Sequence, residues 1–331
     1  SNHNELKNKR EILQADLENK LPDKLLEEGI TEINKSDLTF IDQGSWAQGV
    51  KTSIKPKKIG ENGNKTFDRD VAVIIPMDIV ENSDPRKLKK IIRDIFIITD
   101  KRNPKIKDPC VTVTYSKEGD EIYHIDFPIY AKDEDGNLYL ARGKETTEKY
   151  EWEPSDPEGL NEYFRDNYQD DEGNQKRRII RYIKQWKQEK YNGSNGNEIP
   201  PSIGLTLLGC NDFKYSYDGE YWNDLEALHL TLQDILGKFT IYYDGSVNIS
   251  CNLPKTPWSD VFYKMRDSEE HLKTFYKRFK KFADNIENAY NAEHDHEAAK
   301  YVIKSLGDKF EIPEKEAKKD NSTLKKEDRF A

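Results

Sequence analysis

Residues 67–75 alternate acidic and apolar or basic side chains and then continue as an apolar run. Successive side chains of a β-strand point to opposite faces, so Asp68 and Asp70 project together while Val71–Ile75 anchors the strand in a core. Two carboxylates ~4 Å apart near a protein surface repel each other by roughly 4 kcal/mol. Mg²⁺ would relieve this repulsion, since it binds one or two carboxylates together with waters and substrate phosphates. The strand therefore predicts a metal site.

The pair is informative because of where it lies. With 62 acidic residues in 331, acidic pairs at i and i+2 arise about ten times by composition alone. This pair opens an apolar strand and follows the turn-like Gly44-Ser45-Trp46. Gly44 and Ser45 could form an ordinary turn and helix cap, or a phosphate-binding turn. Their position ahead of the acidic strand favours phosphate binding.

A third carboxylate is predicted on another strand of the same sheet. Residues 122–130 read as a strand that contains Asp126. An acid within an apolar strand is costly to bury unpaired, and its alternative roles are a salt bridge or an edge-strand position. His124 shares a face with Asp126, and a core or hydrogen-bonded role is the simpler interpretation for it.

These motifs occur in an order that resembles a known superfamily. Gly-Ser-aromatic, a basic segment, Phe-Asp-x-Asp and a later single Asp are similar to the DNA polymerase β-type nucleotidyltransferases. Within them the chain resembles the bacterial cGAS/DncV-like nucleotidyltransferases (CD-NTases), which make cyclic oligonucleotide signals in CBASS anti-phage defence. Residues 177–187 resemble the central helix of oligoadenylate-synthase-type enzymes, and residues 199–202 the start of their next helix. The resemblance covers about residues 36–305.

The resemblance implies an α+β fold. It consists of a polymerase β-like nucleotidyltransferase sheet domain with an N-terminal helix (1–150) and an oligoadenylate-synthase-like, mainly helical domain (151–307). The active site is expected in the cleft between them. A charged tail, 308–331, has no periodicity and is expected to be disordered.

The resemblance also implies roles for individual residues. Gly44 and Ser45 would hold the triphosphate of the donor nucleotide. Asp68 and Asp70 would bind two Mg²⁺ ions, for which Mn²⁺ could substitute, and Asp126 would complete one metal site and help deprotonate the attacking ribose hydroxyl.

The resemblance assigns two residues of the second half to the far end of the triphosphate. These are Lys184, with Ser202 close by. The alternative for Lys184 is a solvated basic stripe, with Arg178 and Arg181, on an amphipathic helix.

The activity that the resemblance implies is Mg²⁺-dependent synthesis of a cyclic di- or trinucleotide from ATP, GTP or both, with release of pyrophosphate. The alternatives are a nucleotidyltransferase acting on RNA or protein, and a catalytically silent nucleotide-binding module. The resemblance also implies two partners, a downstream effector that receives the product and an E1/E2-like protein that conjugates Ala331; an ordinary frayed terminus is the alternative for Ala331.

Composition excludes other classes of protein. Cys110, Cys210 and Cys251 are scattered, which argues against a disulfide framework and a zinc ribbon. A formal net charge of −9 argues against strong binding of nucleic-acid duplexes. A basic cluster, Lys51, Lys55, Lys57 and Lys58, could still serve a small nucleotide. The chain shows no apolar run of membrane-spanning length and no signal-peptide pattern, so a cytoplasmic location without membrane association is expected.

Periodicity gives the remaining elements. A helix is predicted over 4–28, with Ile12, Leu13 and Leu17 available to pack. Ser155 and Glu158 form a predicted capping box, and His294 and His296 are predicted to start a helix instead of binding a metal. Strands are predicted at 38–42, 51–57, 67–75, 110–115 and 122–130, helices at 85–99, 224–239, 269–291 and 295–306, and a hairpin at 240–250.

Overall fold

The computed structural model describes residues 2–47, 49–50, 67–97, 102–117, 120–308, 310 and 312–314. The predicted strand 51–57, the lysine cluster within 51–58 and the tail from residue 315, with Ala331, lie outside the described residues. The chain divides into two compact units. The first holds Ser1–Gln48, Pro56–Asn161 and Lys255–Pro257, and the second holds Gly49–Lys55, Glu162–Pro254 and Trp258–Ala331.

Among the described residues, the first unit is built on one eight-stranded mixed sheet. Its strands are β1 (Thr39–Gln43), β2 (Phe67–Pro76), β3 (Arg102–Ile106), β4 (Val111–Lys117), β5 (Asp120–Phe127), β6 (Ile129–Lys132), β7 (Leu138–Arg142) and β8 (Glu151–Ser155). Its helices are α1 (Asn2–Glu27), the short α2 (Gly44–Ala47) and α3 (Pro85–Phe96). The unit boundary at Asn161 falls within α4 (Pro157–Asn167).

Strand β2 organises the sheet because it has neighbours along both edges. It pairs antiparallel with β1 and parallel with β5 and then β6. One face of the strand carries Val71, Val73 and Ile75, all fully buried in a core shared with α1 and α3. The opposite face carries Asp68 and Asp70 and then a smaller apolar cluster that includes Ala72 and Ile74. The two faces of β2 therefore carry the side chains that the sequence pattern predicted for them.

Two predictions about this unit are wrong in detail. The strand predicted over 122–130 is two strands, because Pro128 cannot donate to the ladder and separates β5 from β6; its carbonyl accepts instead from the backbone N–H of Val73 (2.9 Å). Ile12 is 51% exposed, while α1 packs with Leu6, Leu13, Leu17, Leu21 and Leu25.

The second unit is mainly helical. Its elements are α5 (Asp170–Lys190), α6 (Ser202–Asn211), α7 (Asp224–Leu236), the hairpin strands β9 (Thr240–Ile241) and β10 (Val247–Asn248), α8 (Glu269–Asn291) and α9 (Asp295–Leu306). Trp186 of α5 is fully buried, and its ring lies 5.2 Å from Phe282 and 5.4 Å from Phe279 of α8. The predicted positions of α8 and α9 and the predicted hairpin are confirmed.

The predictions of where helices begin and end were less accurate. The predicted capping box fails because Ser155 ends β8, and the Asp156 carboxylate accepts from the backbone N–H of Gly159 (2.8 Å) instead. Helix α3 ends at Phe96, short of the predicted Thr99, and α7 ends at Leu236, where Gly237 caps it. His294 is the N-cap of α9, and the ring Nδ1 of His296 lies 2.8 Å from the Pro313 carbonyl oxygen.

No helix in the described part of the chain has both the length and the apolar composition that a membrane span requires.

Candidate active site

The predicted acidic residues lie on one face of the sheet. Asp68 and Asp70 share a face of β2 by alternation. In the parallel pairing of β2 with β5, Asp70 is the direct partner of Asp126 and Asp68 is the direct partner of His124. Paired residues on adjacent strands lie about 5 Å apart and point the same way. The structure thus places Asp126 beside Asp70, on the face opposite the main core.

Asp126 is held by neighbours from β4 and the segment before it. The Thr112 hydroxyl donates to Asp126 Oδ1 at 2.5 Å, and the Lys107 ammonium lies 3.7 Å from the same oxygen. Thr112 is the direct register partner of Asp126 in the antiparallel β4–β5 pairing. The carboxylate side chain remains 31% exposed, so it is fixed in direction and still open to solvent.

His124 repeats this arrangement one step along the sheet. Its ring Nδ1 lies 3.3 Å from the Thr114 hydroxyl, and Thr114 is its register partner on β4. This is the hydrogen-bonded role expected for His124, now placed on the face that carries the carboxylates.

The electrostatics of this face favour a cation. Although Asp68 as a residue is exposed, the protein atoms that displace water from its carboxylate raise its pKa. The charge of Asp126 also raises the pKa of Asp68, while His124 and Lys107 act in the opposite direction. Two carboxylates that disfavour each other's ionised form would gain from a positive charge between them.

Gly44 connects the turn to the carboxylates. The last residue of β1, Gln43, is the register partner of Asp70, so the chain leaves the sheet beside that carboxylate. Gly44 has φ +66°, and a Cβ atom at this position would overlap the Asp70 carboxylate. The short helix α2 begins here and includes the backbone of Ser45; the Ser45 side chain lies outside the described residues.

The carboxylate face fits a divalent metal by its donor chemistry. Three carboxylates on adjoining strands supply the oxygen ligands that Mg²⁺ prefers, and they leave positions for waters and phosphate. Across the described residues, however, no three Asp, Glu, His or Cys side chains already converge into a metal-binding group. Asp126 Oδ1 instead contacts the Thr112 hydroxyl and the Lys107 ammonium.

In the second unit, the predicted phosphate-binding residues Lys184 and Ser202 have different partners in the described hydrogen bonds. Lys184 is 9% exposed, and its ammonium donates to the backbone carbonyl of Val50 (2.9 Å). The solvated stripe suggested as its alternative is therefore wrong for Lys184. The side chain beside Ser202 is Lys187, whose ammonium donates to the Ser202 hydroxyl (2.7 Å). Burial lowers the pKa of Lys187 to about 8.

Sequence reasoning missed Lys107, Thr112 and Lys187. Thr112 could have been found, since alternation along the strand predicted at 110–115 puts it on the face opposite the apolar Val111 and Val113. Lys187 lies one turn beyond Lys184 on α5. Which of the two lysines contacts Ser202 depends on the position of the start of α6, which the sequence pattern does not give. Lys107 lies outside any motif.

Comparison with known proteins agrees with this architecture. Residues 38–130 match the family described as cyclic GMP-AMP synthase DncV-like, nucleotidyltransferase domain. A cyclic GMP-AMP synthase of Escherichia albertii is 26% identical over 196 residues. That match covers 57% of this chain and only 40% of the relative.

Solved structures share the fold over most of the chain. The Vibrio cholerae DncV cyclic AMP-GMP synthase has a TM-score of 0.68 at 16% identity, covering 94% of this chain and 91% of that chain. The same enzyme with the linear intermediate 5′ pppA(3′,5′)pG gives a TM-score of 0.65, at 16% identity and with 94% and 90% covered. Escherichia coli DncV with 3′-deoxy GTP gives a TM-score of 0.64, at 16% identity and with 92% and 90% covered.

The chain is thus similar to the DncV-like nucleotidyltransferase domain over residues 38–130, and it shares the α+β fold of the DncV structures.

Proposed function

We propose that this protein joins nucleoside triphosphates into a cyclic di- or trinucleotide, releasing pyrophosphate. The observation that carries the proposal is the direct register of Asp70 with Asp126, on the face that also holds Asp68. Relatives named as cyclic GMP-AMP and cyclic AMP-GMP synthases support this class of product and favour ATP and GTP as substrates.

In this proposal Asp68, Asp70 and Asp126 hold Mg²⁺, with Mn²⁺ as a substitute. The bound ions would neutralise the phosphates and the carboxylates together. Asp126 receives the proton of the attacking ribose hydroxyl, whose oxygen bonds to the α-phosphorus as the bond from that phosphorus to pyrophosphate breaks. Thr112 keeps Asp126 directed toward this task.

The triphosphate is assigned to two groups of residues. Gly44 and Ser45 bind it through backbone N–H groups at the start of α2, and Ser45 also through its hydroxyl. For its far end we keep Lys184 and Ser202 and add Lys187, because the Lys187 ammonium donates to the Ser202 hydroxyl (2.7 Å).

The wider biological role follows from the resemblance. We assign the chain to anti-phage CBASS signalling in the cytoplasm, with an effector that receives the product. Ala331 is the proposed site for conjugation by an E1/E2-like protein. The sheet domain is assigned to residues 1–150, the helical domain to 151–307 and the tail to 308–331.

The experiment is synthesis by the purified full chain with ATP, GTP or both, in Mg²⁺ or Mn²⁺. We expect a phosphatase-resistant small product, identified by mass spectrometry, and its loss with EDTA. Asp70→Ala and Asp126→Ala should each reduce the rate by at least 10³-fold. Each removes a carboxylate proposed to hold the cation that stabilises the charge of the transition state.

Asp135→Ala is the matched control, because Asp135 is an exposed acid in the turn between β6 and β7. Undiminished product from Asp70→Ala would refute the site. Labelled RNA or protein in place of a small product would establish transfer to a macromolecule, and nucleotide binding without turnover would establish a silent module.

A further inference from the structure

Lys107 places a positive charge at one of the proposed metal ligands. Its ammonium lies 3.7 Å from Asp126 Oδ1. Asp126 is the direct register partner of Asp70, so this charge borders the carboxylate face of the sheet. The function proposed above gives Lys107 no role.

The backbone of Lys107 is fixed by hydrogen bonds on both sides of the peptide. Its N–H donates to the Cys110 carbonyl oxygen (2.9 Å), and its carbonyl oxygen accepts from the buried Lys89 ammonium (2.8 Å). The next residue, Asp108, forms an ion pair with Arg142 at 2.6 Å. The segment between β3 and β4 therefore has a fixed course, which keeps the start of the Lys107 side chain within reach of Asp126.

The charged end of Lys107, in contrast, can move away from Asp126. The Lys107 side chain is 50% exposed and the Asp126 side chain is 31% exposed. A lysine carries a compact charge on a flexible four-carbon chain. Because an ion pair this open to solvent contributes little to stability, the ammonium can leave the carboxylate at small cost.

Two groups contact the same oxygen of Asp126, and only one of them is charged. The Thr112 hydroxyl donates to Oδ1 at 2.5 Å, and the Lys107 ammonium lies beside that oxygen as well. A neutral hydroxyl can keep its hydrogen bond when a divalent cation binds the carboxylate. A lysine ammonium at this distance opposes such binding, since like charges repel each other.

We propose that Lys107 is the internal counter-ion of Asp126 in the metal-free protein, and that a divalent ion displaces it on binding. Thr112 keeps the carboxylate oriented during this exchange. Lys107 thereby lowers the affinity of the site for the metal, because the ion has to replace a charge that is already present. The role of Lys107 rests on the metal-binding function proposed above for Asp68, Asp70 and Asp126, and it adds a residue that sets the metal concentration the site requires.

The test is Mn²⁺ binding by the full chain stripped of metal, with no nucleotide present. Electron paramagnetic resonance follows the free ion during the titration. We expect Lys107→Met to bind Mn²⁺ at least threefold more tightly than the wild type, because the competing charge is gone. Lys107→Arg keeps the charge and should bind Mn²⁺ no more tightly than the wild type. The gain from Lys107→Met should shrink in about 1 M salt, where the Debye length is only about 3 Å.

Thermal unfolding gives a second readout that does not depend on turnover. An ion that binds only the folded state raises its stability according to its affinity. At a fixed Mn²⁺ concentration, the rise in melting temperature should therefore be larger for Lys107→Met than for the wild type. The same measurement without metal checks that each variant is folded.

Two controls separate this effect from others. Lys90→Met makes the same change in net charge at an exposed position of α3, which packs against the opposite face of the sheet, and it should leave the Mn²⁺ affinity unchanged. Asp70→Ala removes a proposed ligand. It should weaken Mn²⁺ binding at least tenfold, both alone and together with Lys107→Met.

Four outcomes would overturn the proposal, and they have different meanings. Equal affinity of Lys107→Met and the wild type, with binding weakened by Asp70→Ala, would keep the metal site and remove the role of Lys107. Weaker binding by Lys107→Met would mean that Lys107 supports the ion. An equal gain from Lys90→Met would assign the effect to net charge. No Mn²⁺ binding, or binding that Asp70→Ala leaves unchanged, would refute the metal site itself.

Discussion

Gly44 meets two conditions that a residue with a side chain cannot meet together. Its φ of +66° is in the left-handed region, and a Cβ atom would overlap the Asp70 carboxylate. The first condition affects stability. The second couples the turn to the position of a proposed metal ligand.

Gly29 allows these two effects to be separated. It also has φ +66°, but a Cβ atom there would meet nothing within 4 Å. We expect both Gly29→Ala and Gly44→Ala to lose about 1 kcal/mol of stability from backbone strain. Only Gly44→Ala should slow synthesis, by about 100-fold or more, since small misplacements of reacting groups cost that much. Turnover and thermal unfolding of the two variants would check this, and equal turnover would contradict it.

Individual residues show what the sequence could and could not reveal. Alternation alone put Asp68 and Asp70 on one face, because that depends only on local geometry. The contact of Lys107 with Asp126 depends on how the chain returns to the sheet, and no local pattern encodes it. The choice between Lys184 and Lys187 depends on the packing of α5 against other segments, which periodicity does not resolve.

At the scale of elements, sequence patterns found the long helices and the central strand. Strand β3 was missed because Pro104 lies within it, and Pro is normally confined to edge strands. Strand β3 is the terminal strand of the sheet path, which explains why it tolerates this residue. The break at Pro128 has the same cause, since a residue without an N–H cannot continue a ladder.

Helix α3 is attached to the sheet through a buried lysine. Lys89 is 0% exposed, and its ammonium donates to the carbonyl oxygens of Lys107 (2.8 Å), Asp108 (2.6 Å) and Gly143 (2.9 Å). All three N–H groups of the ammonium thus have acceptors. The same backbone segment carries the Lys107 side chain to Asp126.

Burial lowers the pKa of Lys89 to about 8 from the ordinary 10.5. Between these values the unfolded chain keeps the proton and the folded chain releases it, so the stability contributed by Lys89 rises with pH across this window, by about 3 kcal/mol. Lys89→Met should lower the free energy of unfolding at pH 7 by about 2–4 kcal/mol, because three carbonyls lose their donor.

The difference between wild type and Lys89→Met should then widen from pH 8 to pH 10. Urea unfolding at several pH values measures it. Lys90→Met, which removes an exposed lysine from the same helix, should show neither effect. A pH-independent difference would mean that Lys89 keeps its proton across the window.

On the scale of the whole molecule, charge limits what can activate the protein. The chain has 62 acidic and 53 basic residues, with a formal net charge of −9. Binding of duplex DNA is driven by release of counterions from phosphates, which requires a broad basic surface. Some of the described arginines are neutralised by ion pairs within the protein. Arg69 pairs with Asp42, and Arg178 pairs with Asp224.

We therefore predict that duplex DNA neither binds tightly nor stimulates synthesis. Turnover with ATP and GTP should change by less than twofold when duplex DNA is added at 50 mM salt, a condition that favours electrostatic binding. Heparin, a polyanion without bases, should behave like DNA. Stimulation by DNA but not by heparin would contradict this prediction, since it would require a duplex-binding surface. It would mean that local basic segments, and not the net charge, decide whether this protein binds DNA.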